Sequence, residues 1–146
     1  MNADLRVDQQ VCFALYAASR ASTAAYREVL ATVGLTYPQY LVMLALWEED
    51  GVTIRKLGEQ LLLDSGTLSP LVSRLETAGF VSRNRAGEDA RTVRVELTAA
   101  GRGLQDEAAR IQCSLLEKLD LPAEDLLELR RLARKVTSAL AGEDSR

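Results

Sequence analysis

The chain has 146 residues, 47% of them apolar and 27% charged, with a net charge of −3; that suffices for one ordinary domain with a core, or for one protomer of an intertwined pair. No run reaches the roughly 18 uncharged apolar residues that a membrane span needs and no secretory leader is read at the start, so a cytoplasmic protein without membrane contact is expected. Two cysteines 101 positions apart make no disulfide framework, and the lack of any histidine removes His-based metal sites and general bases, so no metal and no other cofactor is expected.

Read in chain order, the apolar period is mostly helical. Residues 8–32, which include "QQVCFALYAASRASTAAYREVL", predict one long helix rich in Ala and Leu and ended near Gly34. Pro38 falls in a first turn, where a helix tolerates proline, and opens "PQYLVMLALWEED" up to Gly51. Thr53 is placed to cap the short "IRKLGEQLL". In "LDSGTLSPLVSRLETAGF", Asp64 and Ser65 are capping candidates, and Leu68, Leu71, Val72 and Leu75 recur at three- and four-residue spacing before Gly79. Pro70 sits deep inside a helix capped at Ser65, so this helix either tightens there or begins regularly only at Ser69.

The period then switches to two. "FVSRNR" and "RTVRVEL" alternate apolar with polar residues around "AGEDA", which predicts a β-hairpin. After "LTAAG" the helical period returns through Leu104, Ala108, Ile111, Leu115 and Leu119, and Pro122 breaks it. A last helix carries Leu126, Leu129, Leu132, Val136 and Leu140.

Three helices followed by a hairpin, over residues 37–97, is the order of a winged helix-turn-helix, with 65–79 as the helix that enters the major groove and 81–97 as the wing. The fold class expected is therefore mainly α with a small β-hairpin. Charge agrees with this placement. Residues 1–64 carry five Lys/Arg against eight Asp/Glu, whereas residues 65–97 carry five arginines against four acids and are the only net-positive third. Ser65, Thr67 and Ser69 offer hydroxyls where helix N–H groups and the helix dipole favour phosphate, and Arg74 lies further along the same helix. Arg83, Arg85 and Arg91 flank a wing tip able to reach a minor groove. The plainer alternative is that the serines only cap and the arginines only solvate.

Long apolar helices at both ends, residues 8–36 and 98–141, exceed what a winged helix needs for its own core. Two chains packing these ends together make a homodimer, and a two-fold dimer with reading helices about 34–36 Å apart reads a pseudo-palindrome in double-stranded DNA.

The first helix also carries a thiol beside phenols. Cys12 and Tyr16 share a face at i,i+4. Tyr26 lies fourteen residues on, about 21 Å along the axis, so its hydroxyl reaches Cys12 only from another chain. Tyr37 and Tyr40, in "LTYPQY", could be delivered the same way. A free thiol is only a few per cent thiolate at neutral pH; phenol donors would stabilise the anion, the start of the helix helps modestly, and such a thiolate attacks peroxide oxygen. The alternative is a buried cysteine acting as a small hydrophobe among Phe13, Leu15 and aromatic neighbours.

"QVCFALYAASRASTAAYREVLATVGLTYPQYLVMLALWEEDG" with "LGEQLLLDSGTLSPLVSRLETAGFVSR" resembles the organic-hydroperoxide-sensing repressors of the MarR family, over about residues 8–140. "CFALY" joined to "LTYPQY" and "LDSGTLSPL" is more specific to that group than Asp89-Ala90-Arg91 in the wing or "LTAAG" after it. The resemblance implies an obligate dimer built from the terminal helices, with Cys12 as the peroxide-sensing thiol. It implies that Tyr26 and Tyr37 are phenols presented by the partner subunit, with Tyr16 in the same pocket, and that Asp89 belongs to the DNA-binding wing. Some members carry a second cysteine beyond the wing that pairs with the sensing cysteine of the other subunit after oxidation. Cys113 lies in roughly that region, as a candidate resolving residue or as a core cysteine between Ile111 and Leu115.

The function expected is that of a regulator and not an enzyme: a dimer that represses transcription when reduced and leaves its operator when organic hydroperoxide oxidises Cys12. Two other readings fit the same residues, a MarR-type repressor of a reversible small-molecule ligand in the interfacial pocket, and a thiol peroxidase that turns over.

Overall fold

The computed structural model describes residues 3–85 and 92–142. Helix α1 runs from Val11 to Leu30 without a break, and a 3-10 turn over Ala31–Val33 stops at Gly34, whose left-handed backbone (φ 72°) ends the element where the sequence places it. Thr36 opens α2, Tyr37–Glu48, through a reciprocal cap: its hydroxyl accepts from the Gln39 N–H at 3.4 Å while its own N–H donates to Gln39 Oε1 at 2.9 Å. The cap lets Gln39 be buried with its side-chain oxygen and its N–H bonded. Helix α2 is apolar on most of its circumference and is the core's centre, with Tyr40, Val42, Met43 and Leu46 at most 2% exposed.

Thr53 caps α3, Ile54–Leu61, by accepting from the Lys56 N–H at 3.1 Å. The turn that follows folds back so tightly that a β-carbon on Gly58 would lie 2.7 Å from the Leu63 carbonyl oxygen. Asp64 caps α4, Ser65–Thr77, accepting from the Thr67 N–H at 2.8 Å. This helix is regular from Ser65 and passes through Pro70, so it does not wait until Ser69. The Asp64 cap and the fully buried Leu68, Val72 and Leu75 outweigh the one hydrogen bond that Pro70 cannot donate to the exposed Gly66.

Strands β2, Val81–Arg85, and β3, Val93–Leu97, pair antiparallel with Val81 opposite Leu97 and Arg85 opposite Val93. A third strand, β1 at Val52–Thr53, pairs with the other edge of β3. The hairpin is therefore the larger part of a three-stranded sheet of order β1-β3-β2. Asp50 fastens its base: Oδ1 accepts from the Leu97 and Gly51 N–H groups, both at 2.8 Å, and Oδ2 pairs with Arg102 at 3.0 Å. Beyond β3, Thr98 caps the short α5, Ala99–Gly103, and its hydroxyl donates to the Gly79 carbonyl at 2.6 Å. The Trp47 indole N–H donates to the Gly101 carbonyl at 3.0 Å, which ties α2 to α5.

The chain divides into two units, residues 1–111 and 112–146, and the division falls inside α6, Gln105–Leu119. The second unit contains the end of α6 and all of α7, Ala123–Ala141, which has no buried residue. Leu116, Leu119, Leu127, Leu129, Leu132 and Leu140 are all more than 40% exposed. In the first unit α1 likewise exposes Val11, Phe13 and Tyr16 and buries only Leu30. Among the described residues no single helix is long and apolar enough to cross a membrane.

Candidate functional site

Two arrangements carry chemistry. The first is the outer face of α4 with the hairpin. Ser65 and Thr67 stand exposed in the first turn, Ser69 is half-buried, and Arg74 is exposed in the last turn. The Asp64 carboxylate already occupies the Thr67 N–H, so a phosphate approaching this end is left with the hydroxyls and with the N–H groups of Ser65 and Gly66. Arg85 is exposed at the far end of β2. Arg83, two residues earlier, is held by Glu76 of α4: its N–H donates to Glu76 Oε2 at 2.8 Å, and its Nε and Nη2 donate to Oε1 at 3.3 and 3.1 Å. The Arg83 N–H and guanidinium hold the Glu76 carboxyl below the usual carboxylate range. On β3, Arg94 is turned back by a 2.8 Å bond to the Gly51 carbonyl. Asp89 and Arg91, the remaining wing residues that the sequence picks out, lie outside the described residues. Between α4 and the hairpin lies an open cleft of about 410 Å³, lined by Ile54, Ser69, Glu76, Arg83, Arg85 and Val93.

The second arrangement is the thiol and the phenols. Cys12 is exposed in the first turn of α1. Tyr16, one turn on, is 58% exposed, with the Arg20 guanidinium 5.5 Å from its ring centre. Tyr26 and Tyr37 are brought together instead: both are half-buried, with ring centres 4.6 Å apart and planes tilted by 32°. Tyr40 closes the cluster at 5.6 Å from Tyr26 and is 2% exposed, packed edge-on at 6.4 Å from Trp47, so it is a core wall. Burial pushes the phenols of Tyr26 and Tyr37 above their ordinary range, and for Tyr26 the charge that the neighbouring Tyr37 phenol takes on ionising adds to this. Both hydroxyls therefore stay protonated, and able to donate, at neutral pH.

The unbroken α1 keeps Cys12 about 21 Å along its axis from Tyr26, so one chain does not bring thiol and phenols together through that helix. Cys113 is exposed on α6. Sequence reading missed Glu76. An acid at the end of a reading helix is ordinary by type, and only the hairpin's return beside it exposes its partner.

A turn anchored on Gly58, a capped helix with one exposed face and a strand pair fastened to its end define a winged-helix DNA-binding protein. Residues 24–108 match the transcriptional regulator SarA/Rot family. The chain is 43% identical over 126 residues to the organic hydroperoxide resistance transcriptional regulator of Bacillus subtilis, covering 86% of each chain. It is 54% identical over 99 residues to the HTH-type transcriptional regulator TtmR of Methylorubrum extorquens; these are 68% of this chain and 51% of TtmR, so the match spans about half of that relative. AbfR of Staphylococcus epidermidis, solved reduced and bound to DNA, superposes with a TM-score of 0.81 at 34% identity over 94% of both chains. The chain belongs to the MarR/SarA family of winged-helix transcriptional regulators. The family and the mainly helical winged-helix fold expected from the sequence are thus both found.

Proposed function

We propose that the chain is a redox-sensing transcriptional repressor of the cytoplasm, which binds pseudo-palindromic operator DNA as a homodimer while Cys12 is reduced and releases it when an organic hydroperoxide oxidises that thiol. The observation that carries this reading is the separation along α1. An exposed thiol stands at one end, and a pair of protonated phenols, Tyr26 and Tyr37, stands at the other. Two antiparallel copies of α1 side by side bring each thiol to the partner subunit's Tyr26 and Tyr37, with Tyr16 beside it. The exposed apolar side chains of α1 and α7 supply the surface that such a dimer buries, so residues 8–36 and 98–141 serve as its dimerisation helices and 37–97 as its DNA-binding lobe. The names of two relatives support a redox-linked DNA-binding regulator: one is a regulator of organic hydroperoxide resistance, and AbfR has been solved on DNA both reduced and overoxidised, so release is assigned here to the sulfenic acid or the disulfide and not to overoxidation.

The chemistry needs no cofactor. The Cys12 thiolate attacks the terminal oxygen of the hydroperoxide, the S–O bond forms as the O–O bond breaks, and the alkoxide leaves and takes up a proton. Phenol donors stabilise the thiolate before the attack, and the sulfenic acid that results cannot accept their hydrogen bonds in the same geometry. That change at the interface moves the two DNA-binding lobes off operator spacing. A coupling of about 2.7 kcal/mol between oxidation and DNA affinity already weakens binding a hundredfold. Ser65, Thr67, Ser69, Arg74 and Arg85, with Asp89 and Arg91 of the wing, are the residues proposed to meet DNA. Cys113 is proposed as the thiol that condenses with the sulfenic acid, releasing water and leaving a disulfide.

The test is intact mass after one equivalent of cumene hydroperoxide, beside a mobility shift of the same sample on a duplex recovered by in vitro selection. A Cys12-dependent change that accompanies release of DNA and is lost in Cys12→Ser is the expected result: a gain of one oxygen, about 16 Da, for the sulfenic acid, or two chains linked once that acid has condensed with a thiol. A covalent dimer under non-reducing conditions, absent in Cys113→Ser, would assign the resolving role. A reduced Cys12 with DNA still bound would end the sensor reading in favour of a reversible ligand. Many equivalents of peroxide consumed per chain would point to a peroxidase.

A further inference from the structure

Among the described residues of the hairpin, three arginines face solvent, and one of them is already ion-paired. Arg83 makes a fork of two bonds and a main-chain bond to a single carboxylate, that of Glu76, seven residues back on α4. The two side chains are 36% and 37% exposed, neither buried in the core nor free in solvent. They stand in the wall of the cleft between α4 and the hairpin, and among the described residues Glu76 is the acid that lines it, with Ser69 and Arg85 as its other polar walls. A carboxylate left bare in this position faces the path of a DNA backbone and repels it. A guanidinium forked onto that carboxylate has its charge balanced before DNA arrives, and a phosphate would have to displace it.

We infer that Arg83 is a positioning residue, the counterion that neutralises Glu76 and holds the hairpin against the reading helix, and that the phosphate contact from this cleft is made by Arg85. This rests on the winged helix binding DNA through α4 and the hairpin. It changes the role that composition alone assigns to Arg83, and it makes Glu76 a residue on which DNA binding depends although it carries the sign of the phosphates.

Salt dependence separates a positioning arginine from a phosphate-binding one, because each phosphate neutralised adds about 0.9 to the slope of log K against log salt. The full-length chain is titrated onto a duplex selected from a random library, across a range of KCl concentrations, by fluorescence anisotropy. Arg83→Met is expected to weaken binding by about tenfold or more with the slope unchanged, since it leaves Glu76 unbalanced. Adding Glu76→Gln is expected to restore affinity to within about threefold, again with the wild-type slope, because glutamine still accepts the main-chain N–H of residue 83 while the charge is gone. Arg85→Met is expected to flatten the slope by about 0.9 for each phosphate that Arg85 neutralises. The double variant alone decides the matter if Arg83→Met does not fold. A double variant that binds no better than Arg83→Met, or whose slope is flattened as in Arg85→Met, would overturn the inference and make Arg83 a phosphate contact. A wild-type chain that enriches no duplex would instead end the DNA-binding reading itself.

Discussion

A β-carbon at Gly101 would lie 2.1 Å from the Phe80 carbonyl oxygen, closer than any non-bonded pair allows, whereas one at Gly103 meets nothing within 4 Å. In "LTAAGRG" the two glycines look alike. The structure separates them because only Gly101 sits where α5 crosses the start of β2, under the Trp47 indole. Gly101→Ala is expected to lower stability by about 2–3 kcal/mol through forced backbone movement. Gly103→Ala, inside the same helix, is expected to be neutral or to stabilise by up to about 1 kcal/mol. Urea midpoints of the two variants check both, and equal midpoints would show that α5 tolerates displacement. The phenols are tested at the same scale. Tyr26→Phe and Tyr37→Phe are each expected to slow oxidation of Cys12 by about tenfold while operator affinity stays within about twofold, since each removes one donor of roughly 1.4 kcal/mol from a thiolate and nothing from the DNA face. Unchanged oxidation rates, measured by stopped-flow with cumene hydroperoxide, would remove the phenols from the mechanism. The sequence makes Cys12 and the tyrosines visible as types. It does not distinguish Tyr40, packed against Trp47, from Tyr26 and Tyr37, because that difference lies in the angle at which α2 leaves the Gly34 turn.

At the scale of elements, periodicity and capping residues make the helices and the hairpin legible, and three features escape them. β1 is two residues long, too short to show any alternation, and it exists because β3 offers an open edge to Val52 and Thr53. The T-x-x-Q cap of α2 is hidden behind Pro38, the stronger signal. The start of α4 is left open between Ser65 and Ser69 by the rule against internal proline, which the Asp64 cap and the buried leucines override in favour of Ser65. Pro70→Ala restores a donor to the Gly66 carbonyl and is expected to raise stability by about 1–3 kcal/mol, read from the urea midpoint. A fall would mean that Pro70 makes packing contacts worth more than the missing bond. The joint between α1 and α2 has its own signature in pH. Burial, helped by the phenols of Tyr26 and Tyr37, pushes Tyr40 up to about 12, while an unfolded tyrosine ionises at 10.0. Between those values the folded state holds a proton that the unfolded state has lost, so stability falls as pH rises through this window and is unaffected below it. Melting temperatures followed from pH 9 upward are expected to drop more steeply for the wild type than for Tyr40→Phe, and parallel curves would show that Tyr40 ionises freely.

At the scale of the whole molecule, the net charge of −3 and DNA binding coexist because the reading lobe is the positive third of an otherwise acidic chain. The apolar inventory poses the larger demand. Helix α7 repeats leucine at helical spacing, yet Leu129, Leu132 and Leu140 are between 45% and 74% exposed, and Val11, Phe13 and Tyr16 of α1 between 46% and 71%. Such stripes do not stay in water on two helices of one small chain. A second copy offers the same stripe by symmetry, which is why the proposed dimer needs no other partner. If folding and pairing are one event, the melting temperature rises with protein concentration, because dilution favours two separate unfolded chains over one folded dimer. Leu132→Asp places a charge in that stripe and is expected to shift sedimentation from dimer to monomer at micromolar concentration. The same variant should lose operator affinity by about a hundredfold or more, since a single lobe keeps only half of a two-fold site. A Leu132→Asp chain that still sediments as a dimer and binds its operator as the wild type does would place the pairing surface elsewhere. Pairing through α1 would then have to carry the thiol of one copy to the phenols of the other without the α7 stripe.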